Sequence, residues 1–403
     1  MSETNRPFRI LSLDGGGIRG AISARILQEV EKQIQEQHGQ SIAEYFDMVA
    51  GTSTGSLIAA GITVGYTPAD MINIYKNQGL DIFPYRSLFS PARLKLLWKY
   101  GSLSVPKFSH DGLIKVVCGL DKFKKADGEF ITLGEAGRKS PDQAQPDPIL
   151  LILAYDAMYR NTTFFTNYHK GRKWFDKQPL WKVCVSSASA PTFFPACEFE
   201  HIAKDEKYEE YWSFPHVDGG VTANNPALCA ISQAIELGHR LEDIQLLSIG
   251  TGQNKKPLDF NTIQGWGLLK WGLRIADVFM EGQAEVQSKV CQNLLGGLTS
   301  HRYLRLQFDL NDSFDSPRNY LAQAPIKDNA NRVNRWLKRQ VTEAMDDARP
   351  ETVDTLIEAT ESYLEQGNLF ATRFEHYGSI KDNIKLFLSD AKTPRERIAL
   401  SAN

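Results

Sequence analysis

Phe46-Asp47-Met48-Val49-Ala50-Gly51-Thr52-Ser53-Thr54-Gly55-Ser56-Leu57-Ile58-Ala59-Ala60 sets a G-x-S-x-G pentapeptide between two apolar runs. The first run suits a short buried strand over 46–50, and the second a helix reaching about Gly61. Gly51 and Gly55, two places either side of Ser53, let neighbouring backbone approach closely, as a sharp strand-to-helix turn requires. The partial positive charge of the helix N-terminus would then point at Ser53. Such a serine suits a nucleophile, although an ordinary βα turn can carry the same pattern.

Outward from this turn the chain repeats the same grammar. Phe8-Arg9-Ile10-Leu11-Ser12-Leu13 reads as a first buried strand, running into a glycine loop from Asp14 to Gly20. Ile22, Ile26, Leu27, Val30 and Ile34 then keep helical spacing to about His38, where Gly39 is a fitting stop. Further buried strands are expected at Pro148–Ala154, Lys182–Val185 and Gln245–Ile249. Apolar strands alternating with helices predict an α/β protein, a three-layer α/β/α sandwich around a central, mostly parallel sheet. Residues 122–147 and 204–211 are polar and read as insertions or mobile loops. The pattern divides into a catalytic domain over 1–326 and a helical C-terminal extension over 327–403 packed on the same domain. In that extension, residues 327–367 read as charged amphipathic helices and 368–403 as a peripheral tail.

Composition excludes several classes. A 403-residue chain with net charge −2 carries no electrostatic footprint for a nucleic-acid polymer. Cys118, Cys184, Cys197, Cys229 and Cys291 are odd in number and lack C-x-x-C spacing, so they read as reduced thiols of a cytoplasmic protein. The first seven residues lack the apolar core of a signal peptide. No stretch of 18 continuous apolar residues is present. No D-x-D-x-D-G loop occurs, so a calcium site is not suggested, and the reading carries no metal and no cofactor.

The glycine loop has two readings. Gly15-Gly16-Gly17-Ile18-Arg19-Gly20 fits G-x-G-x-x-G between a strand and a helix, the dinucleotide-binding fingerprint. That reading needs an acidic residue closing the second strand, whereas Glu36 lies within the first helix and Asp47 opens the strand. The alternative is anionic. Successive backbone N–H groups at a helix N-terminus can hold charge that develops on a carbonyl oxygen, an oxyanion hole. Arg19 would add a fixed positive charge there or lock the loop through backbone carbonyls.

A serine nucleophile also needs a proton acceptor. His110, His169, His201, His216, His239, His301 and His376 all follow Ser53, but none sits in a segment built to present it. His216 lies two residues ahead of Asp218. Asp218 itself is the better candidate: it ends an apolar step, is followed by Gly219-Gly220, and precedes the Asn224-Asn225-Pro226 turn. An exposed aspartate is a poor base at neutral pH, and desolvation would raise its pKa towards usefulness. The same Asp-Gly-Gly also fits a plain type I′-like turn.

Taken in order, Asp14-Gly15-Gly16-Gly17-Ile18-Arg19-Gly20, Gly51-Thr52-Ser53-Thr54-Gly55 and Asp218-Gly219-Gly220 resemble the patatin-like phospholipase family. Ser186-Ser187-Ala188-Ser189-Ala190-Pro191, Asn224-Asn225-Pro226 and Ser248-Ile249-Gly250-Thr251-Gly252 support the resemblance, which spans about residues 8–300. It implies a Ser53–Asp218 dyad without histidine, and an oxyanion hole from Gly15, Gly16 and Gly17 with Arg19. The implied activity is that of a lipid acyl hydrolase, phospholipase A-type, cleaving fatty-acyl esters of phospholipids or galactolipids at a membrane surface. The family also includes phospholipase effectors of bacterial antiviral defence activated by cyclic oligonucleotides, an alternative reading in which activity waits for a small ligand. A third reading is a nucleotide- or lipid-binding module that kept the loops.

A lipase must meet an interface. Residues 82–100 hold Arg86, Arg93, Lys95 and Lys99 among aromatic residues and no acid, a composition suited either to an anionic lipid surface or to a cap whose Leu94, Leu97 and Trp98 pack on the core while Arg93 and Lys95 are solvated. Residues 265–274 are similar, but Gly265, Gly267 and Gly272 weaken a helix, so core packing is expected for Trp266 and Trp271.

Overall fold

The alternation of strands and helices yields an eight-stranded mixed sheet. Its strands are β1 (Phe8–Leu13), β2 (Met48–Thr52), β3 (Ile149–Asp156), β4 (Asn161–Thr166), β5 (Cys197–Lys204), β6 (Glu209–Asp218), β7 (Ile244–Ile249) and β8 (Tyr303–Leu306). The order is β5-β6-β3-β2-β1-β7-β8, with β4 paired to β3. The computed structural model describes residues 6–84, 105–140, 143, 145–169, 173–204, 209–254, 258, 260–297, 300–311, 332–367 and 378–389.

Strands β3, β2, β1, β7 and β8 run parallel, and β4, β5 and β6 join antiparallel. Every residue of β1, β2 and β7 is buried, as parallel strands covered on both faces must be. Leu11, Val49, Ile152 and Leu247 face one apolar cluster, while Ile10, Met48, Leu151 and Leu246 face another. Helices α1 (Gly20–His38), α2 (Thr54–Thr63), α3 (Pro68–Ile82), α4 (Asp111–Gly119) and α5 (Leu180–Ser187) cover the first cluster. Helices α6 (Ala227–Glu236) and α7 (Leu268–Leu294) lie on the second, and α8 (Pro350–Gln366) and α9 (Ile380–Leu388) return to the first. This is the three-layer α/β/α sandwich that the sequence pattern predicts.

The β3 register positions the site. Leu153 pairs with Thr52 of β2 and Phe164 of β4, and the next residue, Ala154, pairs with Asp218 of β6 and Thr163 of β4. A strand residue has one neighbour on each side, so β2 and β6 occupy the same edge of β3. They meet there end to end: β2 stops at Thr52 and β6 at Asp218. The residues that follow those ends, and Asp218 itself, are thereby brought together.

Several elements differ from the sequence expectation. Lys182–Val185 is not a strand but part of α5. The helix begins after Pro179 and is buried between sheet and outer helices at Val183, Cys184 and Val185, so its apolar run lacks amphipathic spacing. The segment 204–211 belongs to the β5–β6 hairpin, with 205–208 outside the described residues. Its signal was the alternation of exposed Glu198 and Glu200 with buried Cys197 and Phe199. Residues 122–140 are ordered turns pinned by buried Phe123, Leu133 and Ala136.

The C-terminal part also departs from expectation. Between 332 and 349 the chain runs in turns and irregular backbone, and the Asn311 amide pairs with both the N–H and the carbonyl of Val341. Within the expected tail, α9 starts at a Ser379/Asp382 capping box and buries Ile380, Ile384, Phe387 and Leu388. Trp266 and Trp271 are half-buried and meet edge to face, with ring centroids 5.3 Å apart, rather than entering the core. Most of the cation-rich 82–100 stretch lies outside the described residues. Among those described, no helix is long and apolar enough to cross a membrane.

Candidate active site

Ser53 stands at the turn from β2 into α2 with φ 54° and ψ −124°, a backbone state that is strained for any residue with a side chain. The flanking glycines make the turn possible. A Cβ on Gly51 would lie 2.3 Å from the Gly55 carbonyl oxygen, and one on Gly55 would lie 2.2 Å from the Leu13 carbonyl oxygen. The strain is held by three hydrogen bonds. The Ser53 N–H donates to Ser187 Oγ at 2.9 Å, and the Ser53 carbonyl accepts from the Ser56 N–H at 2.9 Å and the Ser56 hydroxyl at 2.6 Å.

Asp218 ends β6 and is 2% exposed. Its N–H donates to the Ser189 carbonyl at 3.0 Å, and its Oδ1 accepts from the Gly220 N–H at 2.7 Å. Gly219 and Gly220 open a short helical turn, Gly220–Ala223, and not the type I′ turn that the sequence also allowed. Burial pushes the Asp218 carboxyl up to about 6, against the lowering influence of the Ser53 side chain and the Gly220 N–H. Oδ2 is buried and has no hydrogen-bond partner within bonding geometry, although the Ser53 side chain lies near enough to lower the carboxyl's pKa. Loose geometry of this kind is common in sites without substrate.

The glycine loop closes the third side. The Gly15 N–H donates to the Asn224 carbonyl at 3.1 Å. A Cβ on Gly15 would lie 3.0 Å from Ser53 Cβ and 2.4 Å from Asn224 Oδ1, so this glycine touches the serine directly. Among the described residues, the Gly16 and Gly17 N–H groups find no acceptor, while the Ile18 N–H donates to the Met345 carbonyl at 2.8 Å. Arg19 is buried in the single helical turn after the loop. Beneath it all, Asp14 meets Arg305 of β8 in a two-pronged ion pair at 2.5 and 2.7 Å. Burial disfavours the Arg305 charge, but the Asp14 carboxylate outweighs it and holds the guanidinium pKa above its ordinary value.

Gly17 has φ 57°, and a Cβ there would lie 2.2 Å from the Met345 carbonyl oxygen. Gly17→Ala is therefore expected to destabilise the fold by about 1–3 kcal/mol, read from urea unfolding. A variant as stable as the parent would show that the loop needs no glycine at 17.

A serine on a strained turn, a buried aspartate beside it and a glycine loop against both invite comparison with known proteins. The family model for patatin-like phospholipases matches residues 11–231. The chain belongs to this family. Patatin-like protein 2 of Oryza sativa subsp. indica is 30% identical over 335 residues, covering 74% of this chain and 76% of that protein. Patatin-T5 of Solanum tuberosum is 28% identical over 408 residues, covering 96% and 91%. Among solved structures, human GIVD cytosolic phospholipase A2 aligns at 10% identity with a TM-score of 0.44, covering 96% of this chain and 61% of that one. As a patatin-like protein the chain is a lipid acyl hydrolase, and its substrate is a lipid.

In this patatin-like site His110, His169 and His216 are engaged with other partners. His110 bonds to Ser189 Oγ, and His169 to Asp176. His216 sits among Phe165, Phe199 and Trp174, with Nε2 against Thr163 Oγ1 and Nδ1 against the Phe214 carbonyl. Burial lowers the His216 pKa, so its ring is neutral at pH 7. The residues that sequence reading left without roles are Ser187, Asn224 and Arg305. Ser187 and Asn224 lay inside quoted motifs; Arg305 carried no signal.

Proposed function

We propose that the protein is a phospholipase A-type lipid acyl hydrolase using a Ser53–Asp218 dyad on the acyl esters of phospholipids or galactolipids. The observation that carries this is the meeting of Ser53, on its strained turn, with a buried carboxylate whose pKa of about 6 leaves it mostly ionised at pH 7. The Ser53 hydroxyl attacks the ester carbonyl while Asp218 takes its proton. The resulting oxyanion faces Gly15, Gly16 and Gly17, where the unclaimed N–H groups of Gly16 and Gly17 and the charge of Arg19 would stabilise it. Asp218 then returns the proton to the departing glycerol oxygen. In the second half, Asp218 removes a proton from water, whose oxygen attacks the acyl carbon; as the acyl–Oγ bond breaks, Asp218 returns that proton to Ser53 Oγ, freeing the fatty acid and regenerating the serine hydroxyl.

A bilayer-borne substrate makes this a peripheral enzyme at a membrane surface. Five free cysteines support a reducing, cytoplasmic setting. No observation among the described residues favours a cyclic-oligonucleotide activator.

The direct test is covalent. A fluorophosphonate is expected to label Ser53 alone, found by peptide mapping, and to abolish fatty-acid release from phosphatidylcholine vesicles, with Ser53→Ala taking no label. Labelling at another serine, or vesicle hydrolysis by Ser53→Ala at the parental rate, would remove the dyad.

A further inference from the structure

The turn that carries Ser53 and the strand end that carries Asp218 come from distant parts of the chain, and one short segment touches both. At the C-terminus of α5, the Ser187 hydroxyl accepts the Ser53 N–H at 2.9 Å and donates to the Leu153 carbonyl at 2.6 Å. The Ser187 carbonyl accepts the Gly219 N–H at 3.3 Å, and the Ser189 carbonyl accepts the Asp218 N–H at 3.0 Å. Ser189 is fixed in turn, since its hydroxyl donates to the Val185 carbonyl at 2.7 Å and meets His110 Nε2 at 2.9 Å. Ser187 and Ser189 are fully buried.

We propose that Ser187–Ser189 is a positioning clamp that sets the distance between Ser53 and Asp218, with the Ser187 hydroxyl holding the serine turn in its strained state. This rests on the dyad reading and extends it to a segment that touches neither substrate nor the reacting atoms. The Ser187 hydroxyl uses its donor on Leu153 and its acceptor on Ser53, so it ties the turn to β3 at the residue paired with Thr52. Leu153 also lies against Gly219, where a Cβ would be 2.2 Å from its carbonyl oxygen. The three backbones that fix the dyad therefore converge within one small volume. Without the hydroxyl, the Ser53 N–H has no acceptor and the strained φ loses one of its restraints.

Ser187→Ala is expected to lower kcat for vesicle hydrolysis about 10- to 100-fold with KM unchanged. Inactivation by a fluorophosphonate should slow by the same factor. Ser187→Cys is the second variant: it keeps the shape and an S–H donor for Leu153, but sulfur is a poor acceptor for the Ser53 N–H, so the same loss is expected. Ser186→Ala is the control. Ser186 is equally buried at the same helix end, yet its hydroxyl donates only to the Val183 carbonyl, so its kcat should match the parent.

Parental kcat in both Ser187 variants overturns the clamp, as does an equal loss in Ser186→Ala. Failure of both Ser187 variants to fold would assign Ser187 to the scaffold alone and overturn it too. Failure of the underlying reading looks different: the parent itself would then take no label at Ser53.

Discussion

Asp218→Asn is expected to lower kcat/KM by about 10²- to 10⁴-fold and, at the same time, to make the protein harder to unfold. The amide keeps the shape and an oxygen for the Gly220 N–H but cannot take the Ser53 proton. The stability gain follows from the raised pKa. In the unfolded chain the carboxyl titrates near its ordinary 3.8, and in the folded chain at about 6. Between those values the folded state holds a proton that the unfolded state has released, so the contribution of Asp218 to stability falls as pH rises through this window. Above it, the buried carboxylate lowers stability by up to about 3 kcal/mol, which the neutral amide avoids. Urea unfolding should therefore show parent and variant nearly equal near pH 4 and the variant more stable at pH 8. In the parent, kcat/KM should rise through about pH 6 and level off as the base ionises. A variant weaker than the parent at pH 8, or an activity limb centred near pH 4, would mean that the carboxyl is not desolvated as its burial indicates.

Much of this site was legible because its chemistry is written in local backbone demands. Gly51 and Gly55 are required by contacts under 2.5 Å from backbone atoms, and Gly17 by a positive φ, so the motifs are steric constraints before they are chemical ones. The first strand, its helix and the Gly39 stop follow the pattern closely because β1 is buried on both faces and α1 on one. Where the pattern misled, the cause was an element whose surroundings differ from its sequence. Helix α5 is buried almost all round and reads as a strand; α9 is a short amphipathic helix hidden within a polar tail. The Ser53–Asp218 meeting was legible only as a resemblance, since it depends on β2 and β6 sharing one edge of β3. No local pattern in either strand encodes that pairing.

Arg305 lay beyond reading because its partner is 291 residues away, and an arginine in the strand segment Tyr303-Leu304-Arg305-Leu306 looks like an ordinary surface cation. Its side chain is in fact 13% exposed and grips both oxygens of Asp14, while one nitrogen also reaches Ser248 Oγ at 2.7 Å. Arg305→Met should therefore destabilise the protein by about 3–5 kcal/mol at neutral pH, the penalty of a buried carboxylate left without its counter-charge. The sign with pH follows from burial. Desolvation already pushes the Asp14 carboxyl upward, and without Arg305 nothing opposes it, so the folded variant takes up a proton more readily than the unfolded chain. Its deficit should shrink as pH falls towards 5 and grow as pH rises. The double variant Asp14→Leu/Arg305→Met removes both charges and should recover most of the stability, because an apolar pair of similar volume often replaces a buried ion pair without loss. It should not recover activity, since Asp14 leads into Gly15, the residue in contact with Ser53. Urea unfolding of both variants at pH 5 and pH 8, beside vesicle hydrolysis, separates the two effects. An Arg305→Met protein as stable as the parent at pH 8, or a double variant with full activity, would show that the ion pair is not what anchors the glycine loop.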